Sequence, residues 1–71
     1  MPTEITAPMS GRIAAVLCKP GDQVKFEDEL LMLEALKMEN PIFAPADGKV
    51  VEIKVAEGAM VEANQVLIVI D

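Results

Sequence analysis

A chain of 71 residues with a formal charge of −6, no histidine and one cysteine has room for a single small domain, taken here as residues 1–71. Nucleic-acid partners are excluded, because phosphate binding needs clustered Lys and Arg and base stacking needs aromatic platforms; the chain has no basic run and only two Phe as its rings. Cys18 has no partner for an internal disulfide and histidine-based zinc sets cannot be assembled, which predicts a reducing, cytoplasmic setting.

The N-terminus from Met1 to Glu4 lacks the basic patch and apolar core of a secretion signal, and the longest apolar run, Val66 to Ile70, is too short for a bilayer. Direct membrane insertion is therefore not expected. Thr3 to Thr6 favours strand and ends at Ala7-Pro8, since proline breaks ladder pairing. Gly11 then opens a run of strand length from Arg12 to Cys18. Lys19-Pro20-Gly21-Asp22 has the composition of a turn, with Pro presetting φ and Gly free to make it positive. Gln23 to Lys25 is a short extended piece. Phe26-Glu27-Asp28-Glu29 is a polar connection whose one candidate for burial is Phe26, and it lacks the spaced oxygens and glycine of a calcium loop. Next comes the apolar run Leu30 to Leu33. Glu34-Ala35-Leu36-Lys37-Met38-Glu39-Asn40 follows, placing one lysine between two large apolar side chains with a carboxylate beyond each.

After Pro41-Ile42-Phe43 the pattern starts again. Ala7-Pro8 returns as Ala44-Pro45, Gly11 as Gly48, Gly21 as Gly58, Val24 as Val61 and Leu30 as Leu67, each pair 37 positions apart and without a gap. Arg12 with Lys49, Ile13 with Val50, Val16 with Ile53, Leu33 with Ile70 and Glu34 with Asp71 are conservative matches at the same offset. The chain is two copies of one supersecondary unit. This decides an ambiguity: Leu30-Leu31-Met32-Leu33 suits a helix by propensity, but its counterpart Leu67-Ile68-Val69-Ile70 is β-branched and reads as strand. Residues 29–34 are accordingly predicted as strand, with another leaving through Asn40 to Phe43 and Lys37 on the turn between them.

A unit of about thirty residues cannot bury its own apolar face, so the two copies are expected to pack face to face. The predicted fold is all-β, a flattened barrel or sandwich of two four-stranded antiparallel sheets with pseudo-twofold symmetry. Lys37 lies at a hairpin tip at one end, and the two termini at the other. Cys18 aligns with Val55 and reads as a small interior hydrophobe. Met9 and Met60 do not align and read as packing or surface residues without a role.

Four stretches, Ala7-Pro8-Met9-Ser10-Gly11, Pro20-Gly21-Asp22-Gln23-Val24, Glu34-Ala35-Leu36-Lys37-Met38-Glu39 and Ala44-Pro45-Ala46-Asp47-Gly48, together resemble the biotinyl (biotin carboxyl carrier) domains of the biotinyl and lipoyl attachment superfamily. The resemblance spans essentially the whole chain. It matches the attachment motif Glu-Ala-Met-Lys-Met at four of five positions and departs at Leu36, whose volume and polarity are close to those of Met. It implies a non-catalytic carrier domain or subunit of a biotin-dependent carboxylase, decarboxylase or transcarboxylase. Biotin protein ligase would attach biotin covalently to Lys37, reading Glu34, Ala35, Leu36, Met38 and Glu39. The arm would then shuttle a carboxyl group between biotin carboxylase and carboxyltransferase or decarboxylase sites.

The chemistry of the heptapeptide fits a passive substrate. Lysine offers a long stem and, once deprotonated, a nucleophilic nitrogen, but the chain has no histidine to take the proton, and Glu34 and Glu39 favour the charged amine. Activation must therefore come from the modifying enzyme. Leu36 and Met38 share a parity opposite to Lys37, so they are expected to fold down as a cap on the barrel end, to contact the ligase, or both. The alternative is a lipoyl carrier domain of a 2-oxoacid dehydrogenase-type complex, with the same fold and hairpin lysine; lipoyl domains typically show Asp-Lys-Ala where this chain has Leu36-Lys37-Met38. An unmodified interaction module, with Lys37 incidental, is the third reading.

Overall fold

The computed structural model describes residues 2–71; Met1, the start of the predicted domain and of the signal-peptide argument, lies outside the described residues. Eight strands are formed among these, and no helix: β1 (Thr3–Thr6), β2 (Gly11–Val16), β3 (Gln23–Val24), β4 (Glu29–Ala35), β5 (Met38–Phe43), β6 (Gly48–Ile53), β7 (Met60–Val61) and β8 (Val66–Ile70). They make two four-stranded sheets, ordered β1-β8-β6-β3 and β5-β4-β2-β7, and every pairing is antiparallel.

The repeat is visible in this topology. Advancing each strand by 37 positions carries β1 onto β5, β2 onto β6, β3 onto β7 and β4 onto β8, which exchanges the two sheets. The copies do not pack face to face as the separate layers expected of them. They interleave, each sheet taking two strands from each copy, because short units gain more backbone partners by pairing with each other than by standing face to face.

Register irregularities follow the same offset. β2 slips between Ile13 and Ala15 and β6 between Val50 and Glu52, placing bulges at Ala14 and at Val51. β4 slips between Glu29 and Leu31, and β1 pairs Ile5 with Ile68 but Thr6 with Val66, so Leu30 and Leu67 are a second matched pair of bulges. An extra residue interrupts the in-out alternation of a strand. Consecutive residues can then both face inward: Leu30 with Leu31, and Leu67 with Ile68, are completely buried. With Ile13, Leu33 and Val50 they form the centre of the core. Complete burial of such side chains is worth about 1.5–3 kcal/mol each.

The connections also match. Ala7 donates its amide to Gln65 O and accepts from Asn64 N, while Ala44 donates to Asp28 O and accepts from Glu27 N, all at 2.8–2.9 Å. The Ala-Pro steps thus pin the loop that precedes the last strand of each half. Glu27 and Asn64 both adopt φ 70, and Gly21 and Gly58 take φ 95 and 86. Pro41 sits in β5, an edge strand, where its missing N–H removes no ladder bond to a further neighbour. The crossing from Thr6 through Ala7–Ser10 joins one end of the first sheet to Gly11 at the hairpin end of the second, which leaves Thr3 and Ile70, paired with each other, at the far end of a body 32 Å long.

Two further sequence expectations change. Phe26 is 60% exposed rather than buried: its amide donates to Asp47 Oδ1 at 2.8 Å, and the Lys25–Asp28 turn with Glu27 at positive φ holds the ring on an outer corner. Cys18 lies beyond the end of β2 and is half-buried, packed against the core with Sγ 3.6 Å from Leu30 O. Burial pushes its thiol above the ordinary value, with the Asp22 carboxylate adding to the effect. The acidic turn holds no metal-ligating cluster among the described residues.

Gly11 and Gly48 are twins with different surroundings. A Cβ on Gly11 would meet the Glu34 carbonyl oxygen, which is backbone, whereas one on Gly48 would first meet a side-chain atom, the branch methyl Ile70 Cγ2. Gly11→Ala is therefore expected to lower stability by about 1–3 kcal/mol and by more than Gly48→Ala; urea melts of the two variants giving the reverse order would refute the close backbone approach at Gly11. Cys18 is expected to react with a disulfide reagent at pH 8 more slowly than free cysteine, and an equal rate would contradict the burial of its thiol.

Candidate functional site

Lys37 sits where β4 hands over to β5. The last cross-strand pair is Ala35 with Met38, so the turn contains Leu36 and Lys37 alone. Both residues have positive φ, 53 and 64, the signature of a type I′ turn, whose twist matches that of the flanking strands. Such turns favour Asn-Gly, and a left-handed conformation costs an L-residue roughly 1–2 kcal/mol. Leucine and lysine are held in it by six cross-strand pairs behind them, from Glu29–Phe43 to Ala35–Met38.

Among the described residues the other non-glycine positive-φ positions, Glu27 and Asn64, are twins in the repeat; the strain at Leu36 and Lys37 has no counterpart. Strain that persists only because surrounding structure imposes it marks a functional position.

The tip is open. Lys37 is exposed and makes no hydrogen bond or ion pair among the described residues. Leu36 is 88% exposed and Met38 64%, so neither caps the barrel end. That end is already closed by the buried Ala35 and Val61 with Gly11 between their strands, and the left-handed turn throws the tip side chains outward.

The carboxylates divide. Glu34 and Glu39 are directly opposite each other across β4 and β5, an unfavourable arrangement for like charges. Arg12 on β2 resolves it, placing Nη2 at 2.9 Å and Nε at 3.3 Å from Glu34 Oε1. Both side chains are about half exposed, so the pair is worth at most about 1 kcal/mol. Glu34 is therefore turned to Arg12 and not to Lys37, so of the two carboxylates expected to favour the charged amine one is engaged elsewhere. Asn40 follows, with long contacts from Nδ2 to Leu33 O across the hairpin at 3.5 Å and to Met38 O on its own strand at 3.4 Å.

A groove of about 550 Å³ runs beside the tip, lined by Ser10, Gly11, Arg12, Glu34, Ala35, Leu36, Lys37 and Met60. The heptapeptide supplies half of this lining. Ser10, Arg12 and Met60 come from elsewhere and escape a reading of the motif alone, although the alignment of Gly11 with Gly48 already marks their neighbourhood. Chemically the arrangement presents one accessible primary amine with no acid or base placed to activate it. An acyl group joined to Nζ as an amide needs nothing further from the chain, so the residues present fit a covalently attached cofactor.

Substituting Leu36 by Asn, which tolerates the left-handed region, is expected to raise stability by about 1 kcal/mol. A thermal melt showing no gain would mean that the turn is not strained at that residue.

A family profile described as "Biotin-requiring enzyme" matches residues 2–70. The alpha subunit of mitochondrial methylcrotonoyl-CoA carboxylase from Mus musculus is 42% identical over 62 residues, 87% of this chain and 9% of that protein. The biotin carboxyl carrier protein of Streptococcus mutans is 47% identical over 64 residues, covering 90% of this chain and 49% of that one. The crystal structure of Kluyveromyces lactis urea carboxylase contains a region that superposes on all of this chain with a TM-score of 0.94 and 31% identity, using 6% of its own length. The chain thus spans half or less of the length of these relatives.

Proposed function

The chain belongs to the biotin-requiring enzyme family as a non-catalytic biotin carboxyl carrier domain, and we propose that Lys37 is the residue to which its biotin is joined. The observation that carries the assignment is the strained two-residue turn that holds an unpaired, exposed lysine at the end of a rigid hairpin. When bound, biotin supplies the ureido nitrogen that accepts and releases a carboxyl group. The chain supplies attachment, direction and reach.

The attachment step places the following demands on the residues present. Lys37 Nζ must lose a proton, attack an activated carboxyl carbon and form an amide as the activating group leaves. Among the described residues none is paired with Nζ to take that proton: Glu34 is engaged by Arg12, Glu39 makes no ion pair with the amine, and histidine is absent. The base and the activation therefore come from a biotin protein ligase, which is part of the proposal. Glu34, Ala35, Leu36, Met38 and Glu39 are proposed as the residues it reads. Leu36 and Met38 offer exposed apolar contacts, Glu39 an exposed carboxylate, and the buried Ala35 permits the close approach of β2 behind the turn.

Biotin carboxylase and carboxyltransferase or decarboxylase domains are the further proposed partners, supported by the carboxylases among the relatives. Their identity and acyl substrate follow from the enzyme to which the domain belongs. A cytoplasmic setting is the remaining part, supported by the single half-buried thiol of Cys18; fractionation that placed the chain in an oxidising compartment would remove it.

Intact-mass measurement after incubation with biotin, MgATP and a biotin protein ligase is expected to show one biotinyl addition, abolished in Lys37→Arg. No addition to the native chain, or an addition that persists in Lys37→Arg, refutes the assignment. Addition of a lipoyl group alone, by a lipoate ligase under matched conditions, would favour the lipoyl reading.

A further inference from the structure

We propose that Met60, on β7, is a docking contact for the enzyme that acylates Lys37, and that it lies outside the attachment motif itself; the inference rests on the reading of Lys37 as the acceptor. Met60 is 73% exposed and stands apart from the core, whereas its neighbour Val61 is buried in it. Packing of the fold therefore leaves the exposed thioether without a task. It lines the same groove as Lys37 and Leu36.

Cross-strand pairing places it more closely. Glu39 is opposite Glu34, Glu34 opposite Arg12, and Arg12 opposite Met60, so one row of four side chains crosses the sheet on its outer face just behind the tip. Three of the four are charged, and the row ends in a flexible apolar residue on a two-residue edge strand. Methionine at such a place is suited to contact with a partner, because its unbranched side chain adapts to the surface it meets.

The repeat provides an internal control. The twin of Met60 is Gln23, on β3 in the equivalent row, where Lys49 stands for Arg12. A matching groove of about 520 Å³ includes Gln23, Lys49, Gly48 and Asp71. The two edge strands pair in the same way and border comparable grooves, yet the one beside the lysine hairpin carries methionine and the other carries glutamine. A structural requirement of the edge strand would act on both ends alike.

The occupant follows from reach. The Lys37 amine is at the end of a four-carbon stem, so an enzyme that brings a carboxyl carbon into bonding contact with Nζ must enclose the tip and come down on the groove beside it. Enzymes that act on the end of an attached biotin work a further arm's length away. Met60 is thus assigned to the ligase and not to the carboxylase.

The test is steady-state biotinylation of the full chain by purified biotin protein ligase with biotin and MgATP, comparing native protein, Met60→Gln, Met60→Leu and Gln23→Met. Met60→Gln copies the residue at the twin position and, at an exposed site, is expected to leave thermal stability unchanged. Loss of apolar burial by this side chain corresponds to roughly a tenfold rise in KM for the carrier with kcat preserved. Met60→Leu is expected to retain most of the native KM and Gln23→Met all of it. Native KM for Met60→Gln overturns the proposal, as does a loss confined to kcat or shared equally by Met60→Leu. Biotinylated Met60→Gln assayed as carboxyl acceptor of a biotin carboxylase should match the native carrier; a defect there with normal ligation would move the contact to the carboxylase and refute the assignment. Failure of the native chain to be modified at all would instead strike the reading of Lys37.

Discussion

Neither copy of the repeat can bury its own apolar face, and the way the two copies solve this for each other determines the rest of the molecule. Each sheet is completed by strands from both halves, so no half folds as a layer by itself. The bulges at Leu30 and Leu67 let consecutive large side chains face inward, giving a small chain a core built from Ile, Leu and Val with no aromatic ring among its completely buried side chains. The reciprocal hydrogen bonds of Ala7 and Ala44 then close both halves in the same way. Stability and symmetry have one source here, which is why almost every local feature of one half can be found 37 positions further on.

Much of this was legible in the residues. The glycine, proline and apolar positions revealed the offset, the offset identified Leu30 to Leu33 as strand through its β-branched twin, and the connector without a twin located Lys37 on a turn. Interleaving was not legible, because an alignment of two copies says that they are alike and not which strands pair. Phe26 misled for a related reason: a large ring in a polar stretch suggests burial, whereas the bond from its amide to Asp47, twenty-one residues away, holds it on an outer corner. Arg12 illustrates the same limit at the site. Its pairing with Glu34 depends on β2 lying beside β4, and nothing local to either residue announces it.

The symmetry also shows where function departs from folding. Positive φ at Gly21, Glu27, Gly58 and Asn64 belongs to turns that both halves need, and it is found in both. Positive φ at Leu36 and Lys37 belongs to one end only, in residues that do not favour it. The core gains nothing from these two side chains, since both are exposed and the barrel end is closed without them. What the strained turn does provide is a lysine projected along the hairpin from a rigid base rather than from a mobile loop, and a tip short enough that little other than Leu36, Met38 and Lys37 stands in front of an approaching enzyme. A carrier has to be recognised by more than one partner while doing no chemistry of its own. A rigid frame that holds an unengaged amine out at its tip meets both conditions, and the pairing of Glu34 with Arg12 keeps one carboxylate of the motif from tying that amine down.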